Sequence, residues 1–346
     1  MLHTGPVAKH LPPVLDALAA SEVFVVADAN TAEHCLPLLR EAVPAVAKTT
    51  PVVIPAGEAT KTIDTAALVW DHLVERRADR HAVLVCLGGG VVTDLGGFAA
   101  GCYKRGVRFV HVPTTVLGQV DAAIGGKTGV DFGGLKNSVG LFRMPEAVVA
   151  DPAFLATLPP REVRSGMAEM YKHALIADAA HWAELKRGGA DLLARDDRAA
   201  LIARSQAIKQ DVVAADPEER GLRESLNFGH SVGHAIESVL LASTTPALHG
   251  EAVAAGMICE AYLSVELAGL SAEEVADIEG ALTAVYGRLA LRPDQVASAV
   301  ALVANDKKNR GGVTRMSLLR RIGEARLGVE VEGVAVGRAV KQYLAG

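Results

Sequence analysis

Five short runs of β-branched and aliphatic residues mark the first half of the chain: Val23 to Val26 (VFVV), Pro51 to Ile54 (PVVI), Ala82 to Cys86 (AVLVC), Val107 to Val112 (VRFVHV) and Ala147 to Val149. Each pair is separated by a stretch long enough for a helix. Runs this short and this continuously apolar predict strands buried on both faces, as in a mainly parallel sheet with crossover helices. Beyond about Asp151 the texture changes. Arg161 to Asp178, Asp197 to Ala214, His230 to Ala242 and Glu251 to Leu267 are rich in Ala, Leu and Glu, with apolar residues at helical spacing and almost no strand signal. The Asp151-Pro152 and Pro159-Pro160 pairs punctuate the change. The expected organisation is an α/β domain over 1–155 and a helical domain over 156–346, with the ligand site in a cleft between them. A length of 346 residues suits two cores better than one.

Composition excludes several classes of function. A net charge of −5 gives no general field to draw the chain to nucleic acid or an anionic membrane, so any phosphate must be held by local groups. No apolar run has the length of a membrane helix, and the opening MLHTGPVAKHLPPV lacks the apolar stretch of a signal peptide. A soluble cytoplasmic protein is expected. Cys35, Cys86, Cys102 and Cys259 form no CxxC pair and read as reduced residues.

Two segments of the first half carry chemistry. The strand Ala82 to Cys86 runs into LGGGVVTDLGGFAAG. Its glycines let the backbone turn tightly and approach a phosphate, with the N–H groups of the next helix facing the anion. The spacing is not GxGxxG, and tight packing is the alternative. GEATK at Gly57 to Lys61 and Pro113-Thr114-Thr115 add a carboxylate, a cation and hydroxyls on turns. Asp28, just after the first of these strands, can bond a ribose hydroxyl or cap a helix. The second segment, DAAIGGKTGVDFGGLKN, places Lys127 and Lys136 on glycine-rich turns between Asp121 and Asn137; a solvated loop is the alternative.

The clearest signal is metal chemistry. NFGHSVGHAIES puts His230 and His234 at i and i+4, on one helix face. His249 follows at the start of HGEAVAAGM, and GMAEMYK offers Glu169. Three imidazoles and a carboxylate can form a zinc site with an open position. The spacing leaves open whether His234 is a ligand or an acid-base group.

The succession GEATK, GGGVVTDLGGF, YKRGVRFVHVPTT, DAAIGGKTGVDFGGLKN, GMAEMYKHALI, GLRESLNFGHSVGHAIE, HGEAVAAGM and DKKNRGG, spanning residues 57 to 312, resembles the dehydroquinate synthase family of sugar phosphate cyclases. The resemblance implies a Rossmann-like NAD-binding domain followed by an all-helical metal-binding domain. It also implies conversion of 3-deoxy-D-arabino-heptulosonate 7-phosphate to 3-dehydroquinate and phosphate in the shikimate pathway. Oxidising the carbon 5 hydroxyl to a ketone would acidify the neighbouring proton, so that phosphate leaves by elimination. NAD would be reduced and regenerated within each turnover.

By the same matching the metal, zinc with cobalt as the alternative ion, would be held by Glu169, His230 and His249, leaving His234 for proton transfer. Lys127, Lys172, Lys209, Arg223, Asn227 and one of Lys307 or Lys308 would surround the substrate. Arg105 would reach the phosphate from a partner subunit of a homodimer, and Asp121 and Asn137 would orient substrate and cofactor groups. The NAD contacts implied are Asp28, Gly57, Glu58, Lys61, Gly89, Gly90, Val91, Val92, Thr93, Asp94, Thr114, Thr115, Asp121, Lys127, Lys136, Phe154 and Thr157.

The chain departs from the family pattern at Ala122-Ala123, in place of a Ser-Ser pair, at Asp131, in place of Asn, and at His173, in place of Tyr. Related cyclases of sedoheptulose 7-phosphate or glucose 6-phosphate differ in this neighbourhood; the retained GGKTG and LKN segments favour dehydroquinate synthase. Two competing readings are a metal-dependent polyol dehydrogenase, which has no need of so many phosphate-binding cations, and a non-catalytic nucleotide-binding regulator. The latter would be expected to lose the metal set, which is present in full.

Overall fold

The computed structural model describes residues 1–133, 135–241, 243, 246–304 and 314–346, and divides the chain into two compact units, Met1–Val163 and Arg164–Gly346. In the first, β1 (Leu2–Thr4), α1 (Val7–Leu18), β2 (Val23–Asp28), α2 (Ala29–His34), α3 (Leu36–Ala42), β3 (Val52–Ile54), α4 (Ile63–Glu75), β4 (Val83–Gly88), α5 (Gly90–Cys102), β5 (Arg108–Pro113), β6 (Lys127–Phe132), β7 (Leu135–Phe142) and β8 (Ala147–Ala150) follow in order. Six strands form a parallel sheet in the order β1-β8-β5-β4-β2-β3.

The apolar runs are continuous because both faces of the sheet are covered. Val25, Ala27, Val83, Val85 and Leu87 pack with α1 and α3 on one face. Phe24, Val26, Leu84 and Cys86 point the other way and pack with α4 and α5. Gly96 and Gly97 press α5 down: a Cβ on Gly96 would stand 2.6 Å from Cys86 Sγ, and one on Gly97 2.5 Å from Thr128 Cγ2. For these two glycines, tight packing is the explanation. Successive strands run outward from β2 to β3 and then from β4 to β5 and β8, so the direction of winding reverses between β2 and β4. Open α/β sheets bind ligands at the carboxyl ends of strands flanking such a reversal.

The segment expected as glycine-rich turns is more regular than that. Gly118–Ala122 is a π-helical turn, and β6 and β7 form an antiparallel pair. Lys127 and Lys136 therefore lie on strands, because Gly129 and Gly140 face each other across the pair with no room for side chains.

The second unit holds most of α6 (Pro160–Ala177), then α7 (Ala179–Gly188), α8 (Arg198–Ala215), α9 (His230–Leu240), α10 (His249–Leu267), α11 (Ala272–Tyr286), α12 (Pro293–Ala304), β9 (Thr314–Arg321), β10 (Glu324–Val331) and α13 (Gly333–Ala345). The antiparallel ribbon β9-β10 is an element that the helical texture concealed. Helix α10 is buried along nearly its whole length, against α9, α11, α13 and β9, which is why it lacks a polar face. No helix among the described residues is long and apolar enough to cross a membrane, and all four cysteines are free.

The approach of α9 to α10 is set by glycine. A Cβ on Gly256 would collide with the carbonyl oxygen of Gly229 and stand 2.6 Å from Gly233 N; one on Gly233 would stand 3.0 Å from Ala252 O. Backbone therefore touches backbone. A methyl group at Gly256 must push the helices apart, and Gly256→Ala is expected to cost about 2 kcal/mol or more. The melting temperature in a calorimetric scan should fall by roughly 4–8 °C; an unchanged value would show slack in the contact.

Candidate active site

In the first unit, the loops after β2, β4 and β5 gather most of the nucleotide-contact residues expected from sequence. Asp28 ends β2 and caps α2, its Oδ1 accepting from Thr31 N at 2.8 Å. The capping reading of Asp28 is thus realised in the fold. Thr31 Oγ1 donates to Leu87 O at 3.0 Å, tying this turn to the end of β4. The Cys35 thiol, pushed up by burial, is hydrogen bonded by Thr157 and Thr114 and feels the charge of Asp28, so Asp28, Thr114 and Thr157 share one neighbourhood.

After β4, Gly89 is the N-cap of α5 and offers no capping side chain; its Cβ would stand 2.9 Å from Thr115 Cγ2. Thr114 N donates to Gly88 O at 3.0 Å, and Thr93 N to Gly89 O at 3.0 Å. The result is a side-chain-free turn leading into the first N–H groups of a 13-residue helix, at the reversal of winding. This cradle fits a pyrophosphate. Ala122 packs over it, with its Cβ 3.4 Å from the place a Gly90 Cβ would take.

A second cluster lies on the GEATK loop. Lys61 is buried, with Nζ 2.5 Å from both Asp94 Oδ2 and Asn137 Oδ1. Burial alone would lower its pKa, but Asp94 and its neighbours outweigh that and raise it, so the ammonium stays charged. Asn137 adopts φ 49°, and its N–H donates to Asp131 Oδ1 at 2.7 Å. An asparagine at 131 could accept the same bond; the aspartate adds a negative charge near Lys61. Lys136 Nζ lies 3.8 Å from Glu58 Oε1.

Two expected contacts are placed differently. The side chains of Val92 and Phe154 are in the core, so any contact there would be through backbone. Val91 sits on the first turn of α5, Gly57 has φ 102°, Asp121 lies in the π-helical turn, and Arg105 is exposed in the turn after α5.

In the second unit, α6, α9 and α10 bring the metal set together. Glu169 Oε1 is 3.3 Å from His230 Nε2 and 3.3 Å from His249 Nε2. Donor atoms of His230, His234 and His249 all lie within 4.8 Å of one another. Tetrahedral ligands about 2.05 Å from a zinc ion stand about 3.3 Å apart, so one carboxylate oxygen and two imidazoles at these separations fit a divalent ion. His249 Nδ1 faces Glu237 Oε2 at 3.4 Å, and His230 Nδ1 faces the Phe228 carbonyl at 3.2 Å. Acceptors behind each ring favour the tautomer whose Nε2 lone pair points at the ion.

The electrostatics agree with the donor set. Glu169 would be raised by complete burial, but Lys172, paired with it, and His230 hold its carboxyl well below the usual range. Burial lowers His230 despite Glu169. His249 is pushed up to about 10, its burial outweighed by hydrogen bonds to Glu169 and Glu237. A bound ion takes the place of such a shared proton.

Lys172, paired with Glu169, Lys209 and Arg223 are buried cations of this unit, on α6, on α8 and in the 3-10 segment Leu222–Asn227. Arg223 Nη1 donates to Pro217 O at 2.6 Å, and Asn227 Nδ2 to Glu219 Oε1 at 3.2 Å. His234 lies on α9 one turn from His230, and His173 is fully buried on α6. Lys307 and Lys308 fall outside the described residues. Glu237 and Glu219 were missed in the sequence. Glu237 had a signal, three residues after His234 in HAIE; Glu219 sits in the charged run PEER and had none.

The first unit thus offers a side-chain-free turn suited to a nucleotide's phosphates, and the second a carboxylate-imidazole set suited to a divalent ion, as in a metal- and nucleotide-using enzyme. The models of the N-terminal and C-terminal parts of 3-dehydroquinate synthase match residues 51–165 and 166–309. A 3-dehydroquinate synthase of Parabacteroides distasonis is 40% identical over 323 residues, covering 93% of this chain and 91% of the relative. The structure of 2-epi-5-epi-valiolone synthase from Streptomyces hygroscopicus, with NAD+ and Zn2+ bound, is 30% identical; it matches 100% of this chain and 96% of its own at a TM-score of 0.87. A 2-deoxy-scyllo-inosose synthase complexed with carbaglucose-6-phosphate, NAD+ and Co2+ matches 99% of this chain and 96% of its own at 25% identity and a TM-score of 0.88. The chain belongs to the 3-dehydroquinate synthase family.

Proposed function

We propose that the chain converts 3-deoxy-D-arabino-heptulosonate 7-phosphate to 3-dehydroquinate and phosphate, with NAD and a divalent ion as cofactors. The observation that carries this reading is Glu169 Oε1 standing 3.3 Å from the Nε2 atoms of both His230 and His249, in a chain of this family. When bound, NAD supplies a reversible hydride acceptor and the ion a Lewis acid for the substrate's oxygens.

The chain's own groups supply the rest. Residues 1–155 hold the nucleotide and 156–346 the metal. The pyrophosphate rests on the Gly88–Gly90 turn and the start of α5, with Thr114, Thr115 and Asp121 nearby. Lys172, Lys209 and Arg223 are 1%, 7% and 2% exposed, with Lys172 paired to Glu169. A substrate carrying a carboxylate and a phosphate offers acceptors that suit cations of this kind. Asn227 and Lys127 orient its hydroxyls, and Asn137 is held ready by Asp131 and Lys61. His234, exposed beside the ligand set, moves the proton. A cytoplasmic place of action fits the four free cysteines.

The working form is a homodimer. Strand β7 pairs only with β6 among the described residues, and Leu135, Val139, Leu141 and Phe142 are exposed, as is Phe132 on β6. An open strand edge with this apolar surface is suited to a second copy, and Arg105 is exposed to reach across. Sedimentation should give twice the 36.0 kDa of one chain, with Phe142→Glu shifting it toward monomer; a monomeric wild type refutes the dimer.

Hydride recycling gives a second expectation: turnover requires NAD, yet phosphate release proceeds with no net NADH. Growth of NADH absorbance in step with turnover would mark a polyol dehydrogenase instead. A paired test separates the roles of the histidines. His249→Ala should lose metal and activity together, and His234→Ala should lose rate by roughly a hundredfold or more with metal content near normal. Metal loss in His234→Ala would make it a ligand, and full occupancy in His249→Ala would remove that residue from the set.

A further inference from the structure

We propose that Glu260 is a positioning residue for the metal site, its buried carboxylate clamping the start of α9 to α10 so that His230 is held in register with His249. This rests on the ligand set proposed above.

A helix must satisfy the N–H groups of its first turn, and the usual solution is a side chain at the N-cap. Helix α9 cannot use it. Its N-cap is Gly229, at φ 81°, and a Cβ there would collide with Met257 Cγ. The acceptor comes instead from the neighbouring helix: Glu260, fully buried on α10, accepts from Gly229 N at 2.6 Å and from Val232 N at 3.0 Å. These are the N-cap and N3 donors, the two that a local capping box satisfies with two residues. One carboxylate takes both, and its charge lies at the positive end of the α9 dipole.

The clamp is itself anchored, since Ser264 Oγ donates to the Glu260 carbonyl at 2.6 Å and accepts from Leu319 N on β9 at 3.0 Å. The consequence for the site follows from chain order. His230 is the first residue of α9 and directly follows the clamped Gly229; His249 is the first residue of α10. The ring of His230 also leans on the Phe228 carbonyl in the same turn. Rotation of that turn would therefore move one ligand relative to the other, and metal affinity responds to displacements of a few tenths of an ångström.

The test is Zn2+ affinity, measured by chelator competition on metal-stripped full-length wild type, Glu260→Gln and Glu260→Ala, with His249→Ala as the control and NAD affinity read in parallel. Glu260→Gln keeps the shape but turns an amide N–H toward a backbone donor. The expected result is Zn2+ binding weakened by roughly 10- to 100-fold, the range for groups that orient ligands. Glu260→Ala should be weaker still, with folded content and NAD affinity kept. Wild-type Zn2+ affinity in both variants, whatever their melting temperatures, would overturn the proposal and leave Glu260 a helix cap only. Failure of both to fold even with Zn2+ present would also overturn it, because the carboxylate would then carry the helix pair and not the ligand geometry. Equal Zn2+ binding by wild type and His249→Ala would instead refute the ligand set.

Discussion

Backbone contact between α9 and α10 is the constraint on which the metal-binding unit depends. A Cβ at Gly256 would stand 2.0 Å from the Gly229 carbonyl oxygen and one at Gly233 3.0 Å from that of Ala252, so side chains there would push the helices apart and shift the imidazoles at their amino ends relative to each other. At the other side of the cluster Gly250 does the same for α6, where a Cβ would run into the Ser165 carbonyl while its own N–H donates to Ser165 Oγ at 3.0 Å. Three helices are thus brought within backbone distance at the places where they carry ligands. Aliphatic packing elsewhere in α10 stabilises the unit, but it tolerates substitution in a way these contacts do not.

The first unit solves a different problem. Its strands are covered on both faces, so the chain can expose polar groups only at strand ends, and the winding reversal between β2 and β4 collects them at one edge. Charge there is arranged in closed local groups. Lys61 is held between Asp94 and Asn137, and the left-handed backbone of Asn137 is stabilised by Asp131. The replacement of asparagine by aspartate at 131 is accommodated because a cation already stands beside it.

Strand and helix periodicity in this chain is legible wherever burial is uniform. The five apolar runs became β2, β3, β4, β5 and β8, and the helical segments became α6, α8, α9 and α10 nearly to the residue. What escaped was exposed, short or irregularly paired. β1 has three residues, and β7 is exposed along almost its whole length, so neither leaves a hydrophobic alternation. The β9-β10 ribbon is interrupted by register shifts that blur its period. The His230, His234 and His249 cluster could be read from spacing because a helix fixes i and i+4. Glu260 could not be assigned, since a carboxylate on an apolar helix announces burial without saying what it faces; Glu237 was legible only through its spacing from His234.

The pairing of β1 with β8 joins residues 2–4 to residues 148–150. Almost the whole of the first unit separates the two strands of this pair in the chain. On a ribosome adding about 5–20 residues per second, the first strand to be made must wait roughly ten seconds or more for its neighbour. The rest of the sheet can assemble from β2 onward in the meantime, with each strand adding to one already present. Synthesis order and assembly order therefore differ in this unit: its earliest segment is among the last to be seated.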